Sequence, residues 1–137
     1  MNGVSTIQDP SAGGLEIRDV GGKGRGVYAE HPFRKGELVT EAPVIVIPQR
    51  QWKAVEATII GDYCFAWGHQ DRQAALVLGI GSLINHAATP NCEPLRDEDR
   101  DVMRFVATRD INLGEEVLIS YRDAQTDPRP LWFDAVE

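Results

Sequence analysis

At residues 82–92 the chain runs Ser82-Leu83-Ile84-Asn85-His86-Ala87-Ala88-Thr89-Pro90-Asn91-Cys92. An apolar approach delivers two hydrogen-bonding side chains, Asn85 and His86, and a turn closes on Pro90-Asn91. Buried Asn and His are costly unless hydrogen-bonded. Beside apolar residues they mark either a ligand-facing turn or a satisfied structural network. A nucleophilic His86–Cys92 pair lacks the third group that would orient the imidazole.

Toward the C-terminus lies Gly114-Glu115-Glu116-Val117-Leu118-Ile119-Ser120-Tyr121. It reads as a turn opening a last strand, Val117 to Tyr121. A tyrosine at such a strand end is either core with a wet hydroxyl or a phenol presented into a cavity. Glu115 and Glu116 read as structural, one hydrogen-bonded in the turn and the other solvated. Toward the N-terminus, Gly21-Gly22-Lys23-Gly24-Arg25-Gly26 fits neither the dinucleotide fingerprint nor the P-loop spacing. It reads as a glycine turn between a strand at Leu15 to Ile17 and another at Gly26 to Ala29. Such a turn is either a plain hairpin or a place where backbone closely approaches a ligand. Lys23 and Arg25 would face a carboxylate or water.

One pattern occurs twice. Ala29 to Val39 and Ala107 to Val117 both read Ala-x-x-x-apolar-x-x-Gly-Glu-x-Val. This describes a strand, a turn anchored by one apolar residue, and Gly-Glu opening the next strand, with glycine supplying a positive φ. Between the copies, Leu38 to Thr40 and Val44 to Ile47 are β-branched stretches separated by Pro43, and Gln51 to Thr58 is the best helical segment. Tyr63, Phe65 and Trp67 alternate with Cys64 and Ala66, which puts the three rings on one strand face. Ala74 to Leu78 and Val102 to Thr108 read as strands, and Asp97 to Asp101 is too charged for anything but an exposed turn. The chain is therefore mainly β. A loose leader is expected over 1–14, one domain over 15–122, and a short tail over 123–137.

Composition bounds the function. The 137 residues suit one domain, and a 42% hydrophobic content is enough for a core. No apolar run approaches the roughly 20 residues that span a membrane, and the first fifteen residues do not resemble a signal peptide. Cys64 and Cys92 fit neither a disulfide scaffold nor a zinc site, so no metal is expected and the compartment is a reducing one. The net charge of −7 argues against direct nucleic-acid binding and suits a basic partner, although it also simply confers solubility.

Together, the order and spacing of these segments resemble the SET-domain family of protein lysine methyltransferases. Lys23 to Ala29 resembles its Gly-x-Gly motif, and Phe33 to Glu37 the turn that follows. Leu83 to Cys92 resembles Asn-His-Ser-x-x-Pro-Asn, and Gly114 to Tyr121 the Gly-Glu-Glu-Leu strand with its terminal tyrosine. Asp62 to Trp67 and Leu78 to Ser82 look most like small stand-alone members of bacterial type. Ala87 replaces the family's usual serine, which would loosen that turn, and cysteine-rich flanks that would form a zinc lid do not occur. The resemblance implies small β-sheets around a knot-like crossing, and methyl transfer from S-adenosyl-L-methionine to a lysine ε-amine of a protein or peptide. It implies Tyr121 as the catalytic residue. Lys23, Gly24, Arg25, Gly26, Asn85, His86 and Tyr121 would bind the cofactor. Tyr63, Phe65 and Trp67 would line a substrate channel, with Trp132 and Phe133 of the tail as an aromatic cover. A binding module without activity, a methyltransferase for small amines, and a homodimer completing the site are the alternatives. The expected location is cytoplasmic, or nuclear in a eukaryotic host.

Overall fold

The computed structural model describes residues 4–8, 13–21 and 24–120. Its strands fall into three groups. β1 (Val4–Gln8), β2 (Leu15–Val20) and β3 (Arg25–Ala29) form an antiparallel meander. The expected leader thus contains a strand, paired with β2 from Val4↔Val20 to Gln8↔Glu16. The glycine turn joins β2 to β3 as read, with Gly21 and Gly24 at positive φ.

β4 (Leu38–Ile47) is one ten-residue strand rather than two stretches. Its first part pairs with β9 (Val102–Ala107) and its second with β6 (Gln73–Val77). Pro43 sits at the hand-off, where its missing N–H breaks no ladder: Pro43 faces Val102, and Val44 begins the pairing with Val77. With β5 (Cys64–Trp67) and β8 (Cys92–Asp97) this makes a five-stranded antiparallel sheet in the order β5-β6-β4-β9-β8. β8, which carries Pro94, has no counterpart among the strands read from sequence. Residues 98–101 form the expected exposed turn between β8 and β9.

The helix α1 (Gln49–Glu56) begins two residues earlier than expected, directly after Pro48, which cannot continue the strand ladder as a donor. Trp52 anchors it in a small cluster with Ile47, Cys64 and Ala74. The Thr58 hydroxyl then accepts the Ile60 N–H at 3.2 Å and opens a 3-10 segment, Ile59–Tyr63. Gly61 permits the tight fold-back, since a Cβ there would lie 2.6 Å from Glu56 Cα.

The third group is a short parallel pair, β7 (Asn85–His86) beside β10 (Leu118–Ile119), with Leu118↔Asn85 and Ile119↔His86 in register. The main core lies among these groups and contains Val27, Phe33, Phe105, Ile111, Val117 and Ile119.

The two copies of the repeated pattern pair with each other. Ala29 N–H donates to Glu115 O (2.9 Å), and Ala107 N–H to Glu37 O (2.9 Å). Gly114 N–H donates to Ala29 O (2.8 Å), and Gly36 N–H to Ala107 O (2.8 Å). Phe33 and Ile111, the apolar anchors, exchange both backbone bonds at 2.9 and 2.8 Å. Within each turn the glutamate folds back identically: Glu37 accepts Arg34 N–H (2.7 Å) and Glu115 accepts Asn112 N–H (2.8 Å). The echo in the sequence is a local two-fold in the structure.

Candidate functional site

The parallel pair brings the two chemistry-bearing segments together. Ala87 N–H donates to Ile119 O at 2.8 Å, so the main chain holds the turn that the absent serine hydroxyl was expected to support. Asn91 fastens the crossing from the other side and is fully buried. Its Nδ2 donates to Glu116 O (2.8 Å) and, more weakly, to Glu115 Oε2 (3.4 Å). Its Oδ1 accepts Leu118 N–H (2.8 Å), and its own N–H donates to Leu118 O (3.1 Å). A buried carboxamide satisfied on this scale fixes geometry, which is the structural half of the choice posed by residues 82–92.

Asn85 is the other half. It is exposed, and its Nδ2 donates to Arg25 O (2.8 Å) and to Glu116 Oε2 (2.9 Å). This ties the β7 segment to the glycine turn. Gly26 makes the approach possible: a Cβ there would sit 2.5 Å from Glu116 Oε2 and 3.2 Å from Asn85 Nδ2. Glu116 also accepts a long hydrogen bond from the Tyr28 hydroxyl (3.5 Å). Burial, and then the adjacent Glu116 charge, push the Tyr28 phenol above its usual value. Glu116 is therefore engaged on both carboxylate oxygens, whereas one of the two glutamates was expected to be solvated. Glu115 is the turn glutamate, its carboxyl held below the usual range chiefly by the Asn112 N–H, with Asn91 and Arg109 adding to the effect.

A cleft of about 360 Å³ opens where these elements meet. Gly24 and Arg25 form one wall, and Ile84, Asn85 and His86 another. Ser82 and Leu83 continue it, while Asp62 and Tyr63, placed by the 3-10 segment, complete the rim. The volume lies within the range of clefts that bury small organic ligands. The lining offers a guanidinium, an imidazole, a carboxamide, a carboxylate, a hydroxyl, a phenol and two aliphatic side chains.

Of the residues singled out from sequence, Gly24, Arg25, Asn85, His86 and Tyr63 come together at this cleft, and Gly26 lies buried behind it. Phe65 and Trp67 do not line it. They are 4% and 2% exposed in the main core, where Phe65 meets Phe105 edge-on. The three rings do not share one strand face, because Tyr63 ends the 3-10 segment and β5 starts only at Cys64. Lys23, Tyr121, Trp132 and Phe133 lie outside the described residues. Cys92 is fully buried, which pushes its thiol up to about 12, so it supplies no thiolate near neutral pH. Glu116, Asn91 and Asp62 were not picked out from sequence as site residues. Asn91 stood within the quoted stretch, but only the crossing reveals what it holds.

The SET-domain family model matches residues 24–122, which contain the glycine turn, the cleft and the crossing. The chain belongs to the SET-domain family of protein-lysine methyltransferases. It is 31% identical over 132 residues to a histone-lysine N-methyltransferase of Schizosaccharomyces pombe described as specific for lysine 37 of H3, covering 96% of this chain and 82% of that protein. It is 33% identical over 129 residues to an N-lysine methyltransferase of Xenopus laevis, covering 85% of this SET-domain chain but only 38% of the frog protein. Among solved structures, a candidate histone methyltransferase of Plasmodium falciparum superposes with a TM-score of 0.58 at 25% identity, covering 84% of this chain and 95% of that one. An apo PRC2 assembly in an autoinhibited state shares the fold alone, at 22% identity and a TM-score of 0.64. No helix among the described residues is long and apolar enough to cross a membrane.

Proposed function

We propose that this SET-domain chain binds S-adenosylmethionine in the cleft between the glycine turn and Asn85-His86, and methylates a lysine in a basic, histone-like protein segment. The observation that carries the proposal is the convergence of Arg25, Asn85 and Glu116 through the two hydrogen bonds of one carboxamide. When bound, S-adenosylmethionine supplies an electrophilic methyl on a positively charged sulfur. The main chain at Gly24 and Arg25, with Asn85 and His86, would hold its amino-acid and adenine ends, and Lys23 and Gly26 would join them. The chain's work is then to position and desolvate. A lysine near its ordinary pKa of about 10.4 has no free lone pair, and an apolar, confined approach lowers that value. Tyr63 at the rim is one wall for such an approach. Tyr121 follows two residues after Ile119, whose partner is His86, and would direct its hydroxyl at the reacting centre. Trp132 and Phe133 would cover the lysine from the tail.

The substrate class rests on charge and kinship. A net charge of −7 favours encounter with a lysine-rich segment, and the yeast relative is named for a histone H3 lysine. The proposed location is the cytoplasm, or the nucleus in a eukaryotic host. Calorimetric titration with S-adenosylmethionine and S-adenosylhomocysteine, followed by methyl transfer to histone H3 peptides and to free amines, tests both halves. Saturable binding with transfer to peptide lysine is expected. Absence of binding at millimolar cofactor overturns the reading, and binding without transfer to any amine leaves an inactive module.

A further inference from the structure

We infer that Glu116 is a positioning residue for the cofactor's amino group, acting through Asn85; this rests on the cofactor reading above. A carboxamide is ambiguous, because its oxygen and nitrogen ends have the same shape and opposite hydrogen-bonding character. At Asn85 the protein removes the ambiguity. The two groups facing one end of the carboxamide, Arg25 O and the Glu116 carboxylate, are pure acceptors, at 2.8 and 2.9 Å. Only the NH2 end can meet them, and both of its protons are consumed. The end left for the cleft is Oδ1, an acceptor.

The cleft wall at Asn85 therefore selects a donor, preferably a cationic one. The carboxylate contributes twice: it locks the amide and adds negative potential behind it. A backbone carbonyl alone would hold the same end, but without charge. The setting of Glu116 supports this role. Tyr28 takes its other oxygen, the Arg18 guanidinium lies 4.9 Å above the Tyr28 ring, and residue 26 leaves space for the carboxylate only because it is glycine. Glu116 is thus held from behind while it holds Asn85 in front.

The test compares S-adenosylhomocysteine with its deaminated analogue, titrated calorimetrically into the wild type, Glu116→Gln and Glu116→Leu. The wild type should prefer the amino ligand by about tenfold or more, as expected for a charge-assisted hydrogen bond. Glu116→Gln keeps an acceptor but loses the charge, and should weaken the amino ligand by roughly threefold to tenfold. Glu116→Leu should reduce the preference to within about threefold. In both variants the deaminated ligand should bind within about twofold of wild type, a selectivity that a merely structural role would not produce. If Glu116→Leu fails to fold, the loss in Glu116→Gln, confined to the amino ligand, decides. Equal weakening of both ligands, or no weakening of either, overturns the role of Glu116 while the cofactor site stands. A wild type that binds neither ligand overturns the cofactor reading itself.

Discussion

Two asparagines six positions apart in one motif do opposite work, and burial separates them. Asn91 is fully buried with both ends of its carboxamide satisfied; Asn85 is exposed on the cleft. Asn91→Ala would strand Leu118 N–H and Glu116 O and should cost roughly 3 kcal/mol in urea unfolding. Asn85→Ala should cost about 1 kcal/mol or less yet abolish measurable S-adenosylhomocysteine binding. Equal stability losses in the two variants would contradict this division. Gly26→Ala should also lose cofactor affinity, because its methyl would displace Glu116. The residue types and their spacing were legible in the chain, and they supported the family likeness. Which asparagine faces the ligand was not, because that depends on segment 116–119 arriving from thirty residues away.

At the scale of elements, local pattern served well where partners are local and poorly where they are not. The β2–β3 hairpin, the 98–101 turn and the Gly-Glu turns follow from glycine and charge in the sequence. Pro43 signals a break that would split β4 in two, and only the change of partner from β9 to β6 shows why the strand survives it. Phe65 and Trp67 were legible as apolar, but their burial in the core depended on β5 beginning after Tyr63. The reciprocal turns also make a pH prediction. Glu115 has a folded-state carboxyl below the ordinary value of 4.5, so its contribution is full above that value and is lost as pH falls through the lower, folded one. Glu115→Gln should be less stable than wild type at pH 7, by on the order of 1–2 kcal/mol. The gap should close as pH falls through the lowered value of the folded carboxyl. Denaturant melts at stepped pH would show two converging curves, and parallel curves would place the lost energy elsewhere.

At the scale of the whole molecule, an ion pair that no local pattern announces joins the two sides of the five-stranded sheet. β5 and β8 are the two edges of the five-stranded sheet. At about 4.8 Å per strand, a flat sheet would hold them roughly 19 Å apart. Yet Asp71, in the turn leaving β5, meets Arg96 of β8 at 2.8 Å, with side-chain exposures of only 11% and 7%. The sheet curls, in the sense that strand twist allows, so that the turn after one edge strand reaches the other edge strand through side chains. Asp71 also accepts a φ of 56°, which aspartate tolerates better than most residues. Glu98 lies 3.4 Å from Arg96 Nε and shares the cation. A pair this buried is expensive to break from one side. Arg96→Met removes the 2.8 Å cationic partner of a largely buried carboxylate and should cost roughly 3 kcal/mol. Adding Asp71→Asn removes the largely buried charge while keeping a side chain suited to that backbone, so the double variant should be more stable than Arg96→Met alone. Urea unfolding of the two single variants and the double one measures this coupling directly. Simple addition of the two losses would mean that the curl is set by the packed core around Phe105 and Trp67, and that the pair merely accompanies it.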